Sequence, residues 1–230
     1  MNIKNSFKSL IACLALPWLN SAKISVKDDS EFDWLLNPLP PMFHLVAVGS
    51  AASEWATHYH KYYPFESVTL ISDLEPKEKD GEMDFIQFSP FEEDKFEMLE
   101  RNLINQLEIP TDIFQQLKSK IGSIFLVSAL GNYTGTVISQ RIAERFHLGP
   151  FNDKFKVLLT LPFWMEGEKK RCFAQQVADY IVAERIGCVC DLEYMRRIHG
   201  NVDITTLFKL ADNWMLDVML SELPPYDKKV

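Results

Sequence analysis

Glycine is scarce in this chain, with 9 of 230 residues, or about 4% against roughly 7% in an average protein. Glycine lets a backbone turn tightly around a phosphate group. The shortage therefore excludes a generously built glycine-rich loop, and any nucleotide site in this chain must use few glycines.

Basic residues are also few: 24 lysines and arginines face 32 aspartates and glutamates, which gives a net charge of −8. A protein that binds nucleic acid in general carries a basic surface, so we expect no nucleic-acid partner. A single nucleotide remains compatible with this charge, because a helix N-terminus can hold an anion locally.

The four cysteines contain no CxxC pair. Cys188 and Cys190 flank one valine in an apolar run, so on a strand they share a face but lie too close along the chain for a good disulfide. We interpret them as reduced core residues. Reduced cysteines favour a reducing compartment, and we expect a cytoplasmic protein.

The sequence has no run of 18 apolar residues, so we expect no transmembrane helix. Its beginning leaves three alternatives open. Lys4 and Lys8 precede an apolar run at 10–19, as in a short export signal. Apolar residues from Ile3 to Leu14 also recur at helical spacing, which is typical of a helix docked on the domain or lying on a membrane surface. Membrane contact through residues 1–20 is thus an alternative expectation.

Composition divides the chain into three segments. Residues 1–41 form an extension that ends in the proline-rich linker Asn37-Pro38-Leu39-Pro40-Pro41, residues 42–223 form one domain, and residues 224–230 form a tail. Three prolines within four positions make a stiff connection, which places the domain boundary there.

Apolar runs of strand type alternate with helical patterns along the domain. The segment 74–94, with Pro76 and Gly81, is typical of a mobile loop or a weak strand pair. The alternation predicts βαβ units and a three-layer, Rossmann-like α/β sandwich with a mostly parallel sheet and helices on both faces. Ligands bind such sheets at the carboxyl ends of the strands. Strands are predicted at 43–48, 67–72, 123–128, 155–161 and 187–190, and helices at 53–62, 96–117, 136–147, 168–185 and 202–223.

The strongest local signal is the strand Ser123–Ser128 followed by the loop ALGNYTGT and a helix. Gly131, Thr134, Gly135 and Thr136 offer backbone N–H groups, two hydroxyls and a helix dipole, which together form an anion site. In the alternative interpretation the threonines cap the helix and the glycines make the turn. The loop is neither a Walker motif nor GxGxxG.

This strand, loop and helix resemble the GGGTGTG signature of the FtsZ and tubulin superfamily, with Asn132 and Tyr133 at two of its glycine positions. Four other segments follow the family's order. LPFWMEGEKKRCFAQQ at 161–176 is similar to KPFxFEGKKRxxFAEQG. The remaining three are VAVGSAAS at 46–53, ISD at 71–73, and VCDL at 189–192 with the helix that carries TTLFKLADNWML at 205–216. The resemblance covers about residues 43 to 220.

The resemblance implies a nucleotide-binding domain that holds GTP or GDP, with or without Mg²⁺. It implies that the phosphates lie against two loops, at Gly49, Ser50, Gly131, Asn132, Thr134, Gly135 and Thr136.

It also implies roles for five residues further along the chain. Glu166 matches the glutamate that contacts the ribose, and Lys170 is in register with a nearby arginine of the family. Phe208 matches the aromatic residue that packs on the base, and Asp212 the residue that faces the base edge. Asp191 replaces the asparagine that reads guanine; a carboxylate only accepts hydrogen bonds, so the choice between guanine and adenine stays open.

The functional expectation is an FtsZ-like assembly or regulatory module, in the cytoskeleton or cell division, that associates with itself or with another FtsZ-like subunit. The resemblance implies weak or no GTPase activity, because the sequence ends after the long helix, where FtsZ continues into the domain that completes hydrolysis in the next subunit. The alternative is a non-enzymatic FtsZ-like scaffold with a degenerate, empty pocket.

Overall fold

A computed structural model of the chain describes residues 43–60, 65–74, 76, 81–88, 109, 111–120, 122–149, 154–200 and 202–221. The extension predicted at 1–41, the tail at 224–230 and most of the helix predicted at 96–117 lie outside the described residues.

Six strands form one parallel sheet in the order β3-β2-β1-β4-β5-β6. From β1 the chain adds strands towards one edge of the sheet, and from β4 it adds them towards the other edge. The connections therefore run in opposite directions on the two sides of the β1–β4 pair. In sheets of this type a crevice opens at that point, outside the carboxyl ends of the strands. The strands are β1 (Phe43–Val48), β2 (Ser67–Ser72), β3 (Met83–Gln87), β4 (Ser123–Ala129), β5 (Phe155–Leu161) and β6 (Gly187–Asp191).

Helices cover both faces of this sheet. A π-helical turn, Thr134–Ile138, leads directly into the helix after β4, and a short 3-10 turn, Trp164–Glu166, follows β5. The α-helices are α1 (Ser50–Tyr59), α2 (Thr111–Lys118), α3 (Ser139–His147), α4 (Glu168–Ala183), α5 (Leu192–His199) and α6 (Ile204–Ser221).

The core has one large cluster on each face of the sheet. Side chains of β1 and β4 alternate between the two faces, so Leu126 packs with Phe146 of α3 on one side while Phe125 packs with Leu216 of α6 on the other. Because both faces are covered, the central strands are almost continuously apolar. The three-layer α/β sandwich and its mostly parallel sheet are confirmed.

Five of the six strands lie where the hydrophobic runs predict them. The sixth corrects the interpretation of 74–94: among its described residues, 81–88 contain a parallel strand, β3, at one edge of the described sheet. Its Met83 is buried while Asp84 is exposed, so only part of one face contacts the core and the apolar signal is weak.

Helix α1 begins at Ser50 and not at Ser53, because Gly49 takes the N-cap position with a φ of +91°. Helix α5 was not predicted separately; the Asp191 carboxylate caps it by accepting from the Glu193 and Tyr194 amides. Among the helices in the described ranges, none is long and apolar enough to cross a membrane.

Candidate functional site

A cavity of about 500 Å³ opens at the carboxyl edge of the sheet, between α1 and α6. Its size lies within the range of about 300–1,000 Å³ that is usual for small-molecule sites. The ends of β4 and β5 form its floor. Its lining includes Trp55, His58 and Tyr59 of α1, Ala129, Asn132, Thr160, Glu166 and Lys170, and Phe208, Asp212 and Met215 of α6.

A smaller cavity of about 160 Å³ adjoins the first and shares Ala51, Ala52, Ala129 and Asn132 with it. It lies between the start of α1 and the loop after β4. The rest of its lining is Val48, Gly49, Ser50, Asp73, Leu74, Tyr133, Thr134 and Gly135. The two cavities therefore form one crevice with a wide and a narrow end.

The narrow end exists because two backbone segments meet at glycines. A Cβ atom on Gly49 would lie 3.1 Å from the Gly135 Cα, and one on Gly135 would lie 2.4 Å from the Ala129 carbonyl oxygen. The Ser128 hydroxyl contacts both segments, at 3.0 Å from the Val48 oxygen and 2.7 Å from the Gly135 oxygen. Glycine is thus required at position 135 for packing against β4.

The start of α1 gives the narrow end its electrostatic character. The first helical hydrogen bond runs from the Ser53 amide to the Gly49 oxygen at 2.9 Å, so the amides of Ser50, Ala51 and Ala52 precede it and have no partner within the helix. They carry the partial positive charge of the helix dipole. This is an arrangement that binds anions.

Thr134 and Thr136 have different positions in the loop after β4. Thr136 is fully buried; its hydroxyl accepts from the Gly131 amide at 2.8 Å and donates to the Asn132 oxygen at 2.6 Å. Thr136 therefore fixes the shape of the loop from inside. Thr134 lines the narrow cavity.

Glu166 and Lys170 lie together on the rim of the wide cavity. The Lys170 ammonium is 2.6 Å from Glu166 Oε2, and the other carboxylate oxygen, Oε1, accepts from the Phe163 amide at 2.9 Å. The stem of Lys170 crosses Gly131, where a Cβ would come within 2.7 Å of Lys170 Cε. The pair thus links the 3-10 turn to the loop after β4.

Asp212 projects from α6 into the wide cavity. Burial raises the pKa of its carboxyl from the usual 3.8 to about 7, while the hydrogen bond from the Tyr59 hydroxyl to Oδ2, 3.3 Å long, acts to lower it. The acid is therefore close to half ionised at neutral pH. Phe208, one helical turn earlier, is 46% exposed and meets Phe163 edge-on at 5.9 Å.

Sequence reasoning missed the aromatic wall that α1 contributes. Trp55 and Tyr59 stack with their ring centroids 5.2 Å apart, and His58 meets Tyr59 edge-on at 4.8 Å. The spacing of Trp55 and Tyr59 by four residues does predict a shared helix face. A face of this kind usually belongs to the core, so the sequence had no signal that it borders a cavity.

No protein-family model and no curated protein sequence matches the chain, but solved structures do. FtsZ of M. jannaschii, solved as an empty dimer, has a TM-score of 0.58 and 17% identity over 88% of this chain and 60% of its own. CetZ2 of Haloferax volcanii, a GTPγS-bound protofilament, gives 0.58 and 14% over 78% of this chain and 57% of its own. TubZ of Bacillus thuringiensis serovar israelensis, a GTPγS-form protofilament, gives 0.57 and 14% over 81% and 56%.

This chain has the FtsZ/tubulin superfamily fold. It spans about 60% of the length of the first of these structures and slightly less of the other two. At such identities the likeness is one of fold, and the resemblance in the sequence motifs is confirmed at that level.

Within this FtsZ/tubulin fold, the structure does not bring Asp191 into the lining of either cavity at the carboxyl edge. Its Oδ2 pairs with Arg171 Nη2 at 2.6 Å, and Oδ1 caps α5. Arg171, which is buried, also donates to the Pro162 oxygen and lies 5.4 Å from the centroid of the Trp164 ring. A base contact by Asp191 stays a prediction that these hydrogen bonds do not favour.

The other predicted site residues of the FtsZ/tubulin-like crevice lie at or behind its walls. Gly131 and Thr136 sit behind the surface of the loop after β4. In the part of the chain that the structure describes, no group of three His, Cys, Asp or Glu side chains could hold a metal ion, so Mg²⁺ stays a prediction. Lining positions are held by Gly49, Ser50, Asn132, Thr134, Gly135, Glu166, Lys170, Phe208 and Asp212.

Proposed function

We propose that this chain binds a guanine nucleotide, GTP or GDP, in the two adjoining cavities and acts as an assembly or regulatory module. The observation that carries the proposal is the polarity of the crevice. Its narrow end presents the first-turn amides of α1, and its wide end combines aromatic walls with the buried carboxyl of Asp212. The phosphates of a nucleotide are anionic and would fit the narrow end. Its base is planar and would fit the wide end.

The phosphates would lie between the start of α1 and the loop at Asn132, Thr134 and Gly135, and the ribose beside Glu166. The base would pack on Phe208. Ionised Asp212 has two carboxylate oxygens, which can accept from the N1–H and the 2-amino group of guanine. Adenine offers no such pair of donors, so guanine suits the ionised acid better.

We propose weak or no GTPase activity. The described lining of the narrow cavity contains one carboxylate, Asp73, and Thr136, which could have served as a hydroxyl ligand, is occupied within the loop. Mg²⁺ would reach the site with the phosphates, which in such sites share its coordination with several waters and one or two carboxylates.

Thermal unfolding with GTP, GDP and ATP tests the proposal. A guanine nucleotide at about 100 times its Kd should stabilise the protein by about 2.7 kcal/mol, and ATP should stabilise it less. Absence of a shift with every nucleotide would contradict the proposal and leave the alternative, a scaffold with an empty pocket, which the open crevice does not favour.

Ala51→Glu sharpens this test, because Ala51 is exposed at the start of α1 and lines both cavities. A carboxylate there suits the helix N-terminus, so the fold should be retained, but it would repel the nucleotide phosphates and abolish the thermal shift. Gln176→Glu is the matched control, since it adds the same charge on an exposed site of α4. An equal loss of the shift in both variants would place the nucleotide elsewhere.

We propose further that the chain associates with itself or with another FtsZ-like subunit. Support comes from the similar structures, which were solved as a dimer or as protofilaments. Sedimentation velocity with and without GTP should show larger species in the presence of nucleotide. A monomer at all concentrations, with nucleotide bound, would contradict self-association without affecting the binding proposal.

A further inference from the structure

A third cavity, of about 190 Å³, lies at the amino edge of the sheet, opposite the proposed nucleotide site. The end of α2 and the first residues of β4 and β5 form its walls. Three of the seven lining residues are lysines in a chain whose net charge is −8. The lining consists of Lys118, Ser119, Lys120, Gly122, Ile124, Lys154 and Phe155.

The described lining of this cavity is positively charged, because it has three lysines and no acidic residue among the residues that the structure describes. Lys118 and Lys120 also face the C-terminus of α2, where the helix dipole amounts to roughly half a negative charge. That dipole offsets a small part of the three positive charges. The positive charge that remains can attract an anion.

Lys120 is held in place by a partly buried chain of hydrogen bonds. Its Nζ donates to the Ser67 hydroxyl at 2.6 Å, and the same hydroxyl lies 2.9 Å from Nδ1 of His44. His44 is 4% exposed, and its Nε2 lies 4.0 Å from Oε2 of Glu66. Since an ammonium has three donors, Lys120 keeps two for other partners. An ammonium that is already ordered loses less entropy on binding.

The size and the floor of the cavity narrow the choice of anion. With about 30 Å³ per water molecule in the liquid, a volume of about 190 Å³ holds a single phosphate group and a few waters, and it is too small for a nucleoside. Ile124 and Phe155 form a buried apolar floor, which strengthens charge interactions above it. Lysines bind phosphate as point charges.

We propose that this lysine cavity binds a small phosphate dianion, either inorganic phosphate or the phosphoryl end of a small metabolite. The site is independent of the nucleotide proposal, since the two lie at opposite edges of the sheet.

Amide chemical shifts of the full-length chain, titrated with inorganic phosphate or glycerol 3-phosphate at constant ionic strength, test the proposal. Both ligands should move the amide of Gly122 and those of its neighbours. The ligand with the lower Kd shows whether the cavity prefers free phosphate or the phosphoryl group of a metabolite. Saturating GDP in a parallel titration keeps phosphate out of the crevice at the carboxyl edge, so shifts at Gly49 and Gly135 are separated from those at Gly122.

Lys120→Gln and Lys154→Gln should each weaken phosphate binding about tenfold, the usual scale of a hydrogen bond to a charged group. Lys169→Gln is the matched control, because Lys169 is exposed on α4 and lines none of these cavities. Unfolding midpoints close to wild type would show that the variants fold.

Three results would overturn the proposal: no phosphate-dependent shift at Gly122, the same shift with sodium chloride, or an equal loss of affinity in the control variant.

Discussion

At the scale of single residues, the half-buried acid Asp212 makes stability depend on pH. Its pKa is about 7 in the folded chain against 3.8 for an unperturbed carboxyl, so the folded state keeps a proton that the unfolded state releases. The stabilisation that the protonated Asp212 carboxyl contributes is therefore fully present below about pH 4. It is lost progressively as the pH rises to about 7. Unfolding free energies should drop by on the order of 2 kcal/mol between pH 5 and pH 7 because of this group.

Asp212→Asn should remove this part of the pH dependence, because an amide does not ionise. Urea unfolding of wild type and variant at pH 5, 6 and 7 measures the difference. Glu82→Gln is the control for the loss of one exposed carboxyl, since Glu82 lines neither cavity of the crevice. If wild type and Asp212→Asn follow parallel pH profiles, Asp212 is already ionised in the fold.

At the scale of elements, the Arg171–Asp191 pair joins α4 to the start of α5 and to the end of β5. Its side chains are 4% and 12% exposed. Arg171→Met would leave the Asp191 carboxylate with its two capping amides and without its cation, and removing one partner of a buried pair costs about 3–5 kcal/mol. Chemical unfolding should show a loss of that order.

Arg197→Met is the control for this pair, because Arg197 is 59% exposed and lies 3.7 Å from Glu193. Glu193 is buried but keeps Arg196 at 2.6 Å, so loss of the solvated Arg197 should cost less than about 1 kcal/mol. Equal losses in the two variants would mean that burial of the Arg171 pair contributes no additional stability.

The packing of the loop after β4 against the end of β4 depends on a missing Cβ at Gly135. Gly135→Ala would place that atom 2.4 Å from the Ala129 carbonyl oxygen, and the backbone of β4 cannot move away without breaking the sheet. We expect a loss of at least about 3 kcal/mol in thermal unfolding. Gly81→Ala, where a Cβ meets nothing within 4 Å, should be near neutral. A neutral Gly135→Ala would show that the loop does not pack against the Ala129 carbonyl.

The sequence predicted the elements best where burial was complete. The strand Phe155–Leu161 is buried at six of its seven positions, and its bounds agree with the prediction to the residue, because both faces of the sheet are covered there. Met83–Gln87 was left open as loop or strand, because an edge strand with exposed positions alternates too weakly. Helix α5 follows β6 without a loop. Because no turn residues lie between the two elements, the hydrophobic pattern does not show where the strand ends and the helix begins.

The sequence predicts the candidate site only in the loop after β4, where glycines leave backbone amides open to a ligand. The loop from Gly131 to Gly135 could be predicted from its glycines and threonines at a helix start, although the same residues also serve as helix caps and turns. Whether Asp191 faces a ligand or an arginine depends on Arg171, twenty residues away along the chain, and no local pattern encodes that choice. Sequence reasoning missed the amino-edge lysines for the same reason, since three segments bring them together only in the fold.

At the scale of the whole molecule, the order of strands predicts the order of protection against hydrogen exchange. β1 is fully buried at the centre of the sheet, whereas β3 lies at an edge of the described sheet and is partly exposed. Amides that open only by global unfolding exchange slowest, so β1 and β4 should be the slowest and β3 should exchange earlier. Equal protection in β1 and β3 would mean that the sheet opens as one unit.

The two tryptophans at the wide cavity have an optical consequence. Trp55 is 7% exposed in its wall, while Trp164 is 48% exposed beside the rim and lies against the Arg171 guanidinium. A base stacked in the cavity would quench the blue-shifted emission of Trp55, and Trp164 would retain its red-shifted emission. The chain has five tryptophans, so loss of the quenching in Trp55→Phe would assign the signal to Trp55. Occupancy could then be followed in real time without a label.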